Sequence, residues 1–400
     1  MKKKNNGQEA KDNILIAKLR NKYRILNHMD LMFKKINSYK HKKLINKIGV
    51  IEFHPSDVCD LNCFCCTYRW AVKSKSKEGK IFPSSSLSKI LELDPKAMVI
   101  VGGGEPVLYK EGNKTFKDLV SYFVRNKPEM RIGLATNGAT IPKGDWMKHI
   151  SWVRISMDAA NENTFIMLKD GNYNKRMQNI LEYLKSPIKY VGVGFLYSRF
   201  NFDEVSDVIK NICDYVSYNF SDQYPQKLNI QFRPTCPIES CECPSPFYKD
   251  NQLLVTPDLE PWWGKKVKEV KMKLSELKKD KKMEYFIDNN TNVSDFLVKN
   301  KKRKPPCFHK CYTSLIRWII RPNGDVYPCV MKASNRGAKI GNILKDSLDT
   351  LSANAFRFYN LEIGYCNGPD ECCRFAGGLN KIVEKNLYKT KYKLTSDPFF

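Results

Sequence analysis

The chain has 400 residues, of which 42% are hydrophobic and 12% aromatic, a composition that excludes wholesale disorder and allows a large core. Its formal charge of +26 favours anionic partners without naming one, because the lysines are dispersed and not gathered into one stripe. No apolar run approaches membrane-spanning length, and Lys2-Lys3-Lys4 is followed by the polar stretch Asn5 to Asn13 and no signal-peptide core, so a cytoplasmic location with no membrane partner is expected.

Residues 1–48 alternate basic and apolar positions and read as an N-terminal extension of one or two amphipathic helices. From Val50 the pattern changes to short apolar runs. The strand candidates are Val50 to Phe53, Met98 to Val101, Arg131 to Thr136, Trp152 to Ser156, Tyr190 to Leu196 and Leu228 to Phe232. Helical periodicity occupies Ser85 to Leu93, Lys117 to Arg125, Lys175 to Leu184 and Asp203 to Tyr218. Such alternation predicts an α/β fold with a parallel sheet. Six units fall short of the eight of a closed barrel, so the expectation over 49–236 is a partial (β/α)6 TIM-like barrel with reactive groups at the C-terminal ends of its strands. Residues 237–306 break the alternation with a loop rich in Pro and Cys and a charged helix around Lys265 to Tyr285, and read as a bridging segment. A small α+β domain is expected over 307–385, opening with a hairpin, Leu315 to Val330, that turns on Pro322-Asn323-Gly324-Asp325; a polar tail fills 386–400.

Fourteen cysteines in a reducing compartment point to metal ligation or burial, not to disulfides. The tightest group follows the first strand: Cys59-Asp60-Leu61-Asn62-Cys63-Phe64-Cys65-Cys66, a CxxxCxxC spacing in a loop. Three thiolates leave one iron of a four-iron cluster without a protein ligand, open to a small chelating molecule. An open coordination position is what catalysis needs. Structural zinc is the alternative that the spacing alone leaves open.

Three further motifs follow successive strands: Gly102-Gly103-Gly104-Glu105-Pro106, Thr136-Asn137-Gly138 and Ser156-Met157-Asp158. In this order they resemble the radical S-adenosylmethionine (SAM) superfamily. The resemblance implies that Cys59, Cys63 and Cys66 hold a [4Fe-4S] cluster whose open iron is chelated by SAM. It also implies that Gly102, Gly103, Gly104, Glu105 and Pro106 meet the methionyl amino group, that Asn137, Ser156 and Asp158 belong to the segments around the ribose and carboxylate, and that Gly192 to Phe195 pass the adenine. Cys65 stands where the family has an aromatic residue, and Phe64 is the candidate to replace it. The implied chemistry is one-electron cleavage of SAM, fed by a reductant such as flavodoxin or ferredoxin, to a 5'-deoxyadenosyl radical that abstracts a substrate hydrogen.

Cys311, twelve residues, Gly324, four residues and Cys329 resemble the start of the SPASM and twitch auxiliary-cluster domains of that superfamily. Cys366, Cys372 and Cys373 are then expected to complete a second [4Fe-4S] cluster, with Cys307 as an alternative ligand and zinc as the alternative metal. The further CxxC set of a full SPASM pattern is not found, which favours the shorter twitch type. Cys236, just after the last strand, is a candidate hydrogen-atom donor to a substrate radical, against the plainer readings of a buried or loop thiol. Arg233 is a candidate for meeting an anionic substrate, against a structural ion pair, and Cys213 reads as core.

These readings favour an oxidoreductase or epimerase acting on a small molecule, anionic or carbohydrate, such as a sugar or amino sugar. Peptide or protein maturation ranks second, because 48 residues before the barrel are few for a peptide-recognition domain. A zinc-containing nucleic-acid-binding protein ranks last.

Overall fold

The computed structural model describes residues 28–64, 66, 80–220, 227–234, 263–297, 310–329, 333 and 338–359. A helix, α1 (Met29–Lys40), leads into a sheet whose first six strands are β1 (Val50–Phe53), β2 (Ala97–Ile100), β3 (Arg131–Thr136), β4 (Ile150–Ser156), β5 (Tyr190–Tyr197) and β6 (Leu228–Pro234). They lie side by side in chain order, all parallel. The connections carry α2 (Leu87–Leu91), α3 (Phe116–Asn126), α4 (Glu162–Lys169), α5 (Tyr173–Lys185) and α6 (Val205–Asn219).

Alternation along the strands decides which residues meet these helices. Ile51, Phe53, Met98, Ile100, Ile132, Leu134, Val153, Ile155, Val191 and Val193 turn outward into one continuous core with Leu119, Phe123, Ile180, Leu184 and Ile209 of the helices. Each such side chain, fully buried, stabilises the fold by roughly 2 kcal/mol. The alternate positions, among them Glu52, His54, Trp152, Arg154, Gly192 and Gly194, face the interior of the partial barrel.

Side-chain caps set several helix starts. Thr115 and Asp118 form a capping box on α3, and the Oδ1 atoms of Asn161 and Asn172 accept from Thr164 N (3.0 Å) and Lys175 N (2.7 Å) on α4 and α5. Helix α4 is absent from the sequence reading. Its Ile166 and Met167 are half exposed, which blurs the apolar stripe that periodicity detects. Strand β4 begins at Ile150, two residues before the expected start, across a register shift opposite Ile132 and Gly133. Glycine is required there, because a Cβ on Gly133 would lie 2.2 Å from the Trp152 ring.

The bridging region contributes α7 (Trp263–Leu277), α8 (Lys281–Asn290) and α9 (Val293–Phe296). The single charged helix expected here is two, because Asp280 caps α8, its Oδ1 accepting from Lys282 N (2.7 Å) and Met283 N (3.0 Å).

Beyond it, β7 (Arg317–Ile320) pairs parallel with β1, on the side away from β2. Strand β8 (Asp325–Tyr327) returns antiparallel to β7, and β9 (Gly341–Asn342) follows antiparallel to β8. The expected hairpin is therefore present, and it extends the barrel sheet to nine strands. Gly324 makes its turn at φ +82°. The last described helix, α10 (Leu348–Tyr359), packs with α1: Met32 is buried among Leu315, Ile316 and Phe356, and Tyr39 stacks on Phe356 at 3.8 Å. Cys213 is fully buried in α6. Among the described residues no helix is long and apolar enough to cross a membrane.

Candidate functional site

The C-terminal ends of β1 to β4 converge on the cysteine loop. Residues Ser56–Val58 lead into it and also carry the glycine loop: Gly104 N donates to Ser56 O (3.0 Å) and Glu105 N to Val58 O (2.7 Å). A Cβ on Gly104 would stand 2.2 Å from Val58 O, and one on Gly103 would stand 2.6 Å from Asp57 Oδ1. The bare faces of these glycines are thus turned to the cysteine loop, so the two loops are fitted to each other. Pro106 is buried and opens the turn that leads away from Glu105.

Glu105 joins this pair of loops to the third strand. Its side chain is 2% exposed; Oε1 accepts from Thr136 Oγ1 (2.6 Å) and Oε2 from Asn137 N (2.6 Å). Burial pushes this carboxyl up to about 7, although the hydrogen bonds act in the opposite direction. Asn137 continues the chain of contacts. Its Nδ2 donates to Asp60 Oδ1 (2.6 Å) and lies 4.0 Å from Cys59 Sγ, while its Oδ1 accepts from Ala139 N (2.7 Å) and Arg176 Nη1 (3.2 Å).

The far side of the loop is held by α4. Phe64 N donates to Leu168 O (2.9 Å), Cys63 Sγ lies 3.9 Å from Lys169 O, and the Phe64 ring meets Phe200 edge-on at 5.5 Å. Lys169 is buried, ion-paired with Asp158 and donating to Ser156 Oγ (2.8 Å). Asp158 itself sits at φ +57°, a conformation costly for a residue with a Cβ. Neighbouring strands over-determine it: Oδ1 accepts from Leu196 N (2.6 Å), and its backbone carbonyl accepts from Asn201 Nδ2 (2.8 Å).

The structure thus brings Cys59, Cys63, Cys66, Phe64, Gly102, Gly103, Gly104, Glu105, Pro106, Asn137, Ser156 and Asp158 to one end of the sheet. Phe195 is the exception. It is fully buried on the outward face of β5 against Phe232 (5.5 Å), and the inward positions of that strand are Gly192 and Gly194. The two-residue period of the strand turns Phe195 outward, so that of the stretch Gly192 to Phe195 only Gly192 and Gly194 face the interior. Sequence reasoning missed Lys169, Arg176 and Arg154. Only Lys169 left a trace, as a lone basic residue where α4 ends at Asp170.

Do these residues fit an iron–sulfur cluster? Cys59, Cys63 and Cys66 are partly buried thiols, none of them in a disulfide. Burial pushes Cys59 up to about 11 and raises Cys63, and the nearby sulfurs add to both shifts. Sulfurs that feel one another in a desolvated loop become thiolates when a metal supplies positive charge. Among the described residues no three His, Cys, Asp or Glu side chains converge as the ligands of one ion would. A four-iron cluster takes each thiolate on a different iron, which three thiols on one loop can supply. The donor set fits.

Cys311 precedes β7 and Cys329 follows β8, so both belong to the open end of the hairpin, opposite the Gly324 turn. Both are partly buried, and neither is in a disulfide. Cys311 N donates to Tyr359 O (2.9 Å), which ties this end to α10. Because β7 runs parallel to β1, this is the N-terminal end of the barrel strands. Cys236, Cys307, Cys366, Cys372 and Cys373 lie outside the described residues.

Residues 307–374 match the model of the SPASM iron–sulfur cluster-binding domain. The sequence finds no match among curated proteins. Among solved structures, the chain resembles Streptococcus suis SuiB bound to precursor peptide SuiA, with a TM-score of 0.53 and 14% identity over 82% of this chain and 68% of that one. It also resembles SuiB bound to S-adenosylmethionine (TM-score 0.51, 13% identity, 87% and 71% covered). A third is native anSMEcpe with bound AdoMet and a Cp18Cys peptide (TM-score 0.51, 16% identity, 82% and 88% covered). At these identities the likeness is one of fold. A parallel partial barrel with a three-cysteine loop after its first strand, followed over 307–374 by a match to the SPASM iron–sulfur cluster-binding domain, is the fold that this chain shares with those structures.

Proposed function

We propose that the protein is a radical SAM oxidoreductase, with its core over 49–236 and its auxiliary-cluster domain over 307–385. The observation that carries this reading is the single bonded network, from Cys59 through Asn137 and Glu105 to the glycine loop, that joins the three motifs at the strand ends. When bound, the cluster and SAM supply a 5'-deoxyadenosyl radical able to abstract hydrogen. The chain's part is positional. Cys59, Cys63 and Cys66 hold the cluster; Glu105, fixed by Thr136 and Asn137, holds the glycine loop against the cysteine loop and presents a buried carboxyl to the methionyl amino group. Ser156, Asp158 and Asn137 orient the remainder of the cofactor, and Phe64 covers its flank. Cys236 is the hydrogen-atom donor in an epimerising version of the reaction.

The preferred substrate is a small molecule, a sugar or amino sugar, dehydrogenated or epimerised with flavodoxin or ferredoxin as reductant, in the cytoplasm. A second reading is peptide modification, favoured by the peptides bound in the SuiB and anSMEcpe structures. The test is anaerobic reconstitution with iron and sulfide, followed by SAM and dithionite. Brown protein forming 5'-deoxyadenosine is expected; a colourless, zinc-loaded protein that leaves SAM intact would sink the proposal. Enhancement of 5'-deoxyadenosine formation by peptides and by no sugar would favour the second reading.

A further inference from the structure

We infer that Arg154 anchors a carboxylate of the substrate inside the barrel, so that the small molecule of the reading above, on which this rests, is a carboxylate-bearing one such as a sugar acid, held below the SAM end of the strands. Arg154 lies on the inward face of β4, in register with Ala135 of β3 and Gly192 of β5. Its side chain runs over the bare face of Gly194, where an added Cβ would lie 3.3 Å from Arg154 Cδ. Gly194 is in register with Ser156, so the guanidinium extends toward the strand ends that carry Ser156 and Asp158.

Charge pairing in this interior leaves Arg154 over. Among the described residues, Glu52 is engaged by Arg317 and by His54 Nε2 (3.3 Å), Asp57 by Arg321 Nη2 (3.1 Å), and Asp158 by Lys169 and Leu196 N. Arg154 makes no hydrogen bond and no ion pair with any described residue. Burial lowers its pKa, the fields of Glu52 and Asp158 oppose that shift and the Arg317 cation adds to it, and the side chain keeps partial exposure. The planar fork of arginine is matched by a carboxylate, and a pair formed in this partly desolvated interior is screened less than one in open water. Gly194 leaves room for the arginine stem itself, and the Asn229 side chain lies over the next glycine, Gly192, with its Oδ1 3.1 Å from where a Cβ would stand.

Two carboxylates could fill the place, that of the substrate and that of SAM. The register favours the substrate, because Ser156, Asp158 and Lys169 already occupy the layer nearer the cysteine loop. The test uses acetate as probe, with neutral acetamide as control, on reconstituted SAM-loaded protein. Thermal stabilisation and, after reduction, paramagnetic broadening of 13C-acetate are recorded. Acetate and not acetamide is expected to produce both effects. Arg154→Gln should weaken them by at least about ten-fold, with Arg154→Lys intermediate and SAM affinity unchanged. Equal acetate effects in wild type and Arg154→Gln, or none in wild type, would overturn the inference. So would a ten-fold fall in SAM affinity in Arg154→Gln, which would assign the residue to the cofactor. Wild type that forms no 5'-deoxyadenosine yet is stabilised by acetate through Arg154 would remove the proposed function and keep the site.

Discussion

The two cysteine sites occupy opposite ends of one sheet and are built in different ways. The loop of Cys59, Cys63 and Cys66 follows the C-terminal end of β1, and its shape is set by residues a few positions away and by three neighbouring strand ends. Cys311 and Cys329 share the open end of the local β7–β8 hairpin, and that hairpin is set beside the barrel because β7 finds β1 across more than 250 residues of chain. The first site is thus a local loop seated on the barrel, whereas the second is a local hairpin placed against the barrel by a long-range strand pairing. On the order of 13 Å of β1 separates the two ends of the sheet, with Glu52, Arg154 and Arg317 in the interior between them.

This contrast is broken most directly by removing a ligand from each end. Cys63→Ser is expected to abolish 5'-deoxyadenosine formation and to remove about four irons per chain, leaving thermal stability of the hairpin region intact. Cys329→Ser should remove a similar amount of iron but leave SAM cleavage in the absence of substrate near the wild-type rate. Iron content, the low-temperature paramagnetic spectrum of the reduced protein and 5'-deoxyadenosine yield check both. Equal loss of SAM cleavage in the two variants would mean that the sites are not separable.

A smaller perturbation tests how far the cysteine loop depends on its seat. Gly104→Ala puts a methyl group into the backbone of Asp57 and Val58, which no side-chain adjustment relieves. The expected cost is about 4 kcal/mol or more, with cluster loss at the Cys59 end and none at the Cys329 end. Denaturation of the iron-free protein, read beside iron content after reconstitution, distinguishes this from general unfolding.

The same contrast explains what the sequence makes legible. Strands β1 and β3 have the predicted bounds, and the other four differ by one or two residues, because alternation and turn residues are local signals. The cysteine loop and the glycine loop are equally local. The pairing of β7 with β1 is not, since Arg317 to Ile320 carries no mark of which strand it will meet. Arg154 and Lys169 are hidden for a related reason: their meaning lies in which carboxylates are already engaged, and those come from β1, the loop after it and the turn after β4. Phe195 shows the converse error, in which a motif position was carried over without asking which way the strand turns it.

The smallest expected effect sharpens the claim that Glu105 is the joint between loops. Burial raises its carboxyl from 4.5 in the ordinary case to about 7 in the fold. Between those values the folded protein keeps a proton that the unfolded chain has released. The associated stability is fully present below about pH 4.5, declines as pH rises and is gone above about pH 7, a contribution of about 3 kcal/mol. Glu105→Gln removes the titration, so the difference in unfolding free energy between wild type and variant should change across this window in SAM-free protein. His54, whose imidazole burial pushes down, titrates in both proteins and cancels in the difference. SAM brings an ammonium that favours the charged carboxylate, so its binding should move the transition to lower pH. A difference curve flat from pH 4.5 to 8 would show that Glu105 is ionised throughout, with Thr136 and Asn137 outweighing its burial.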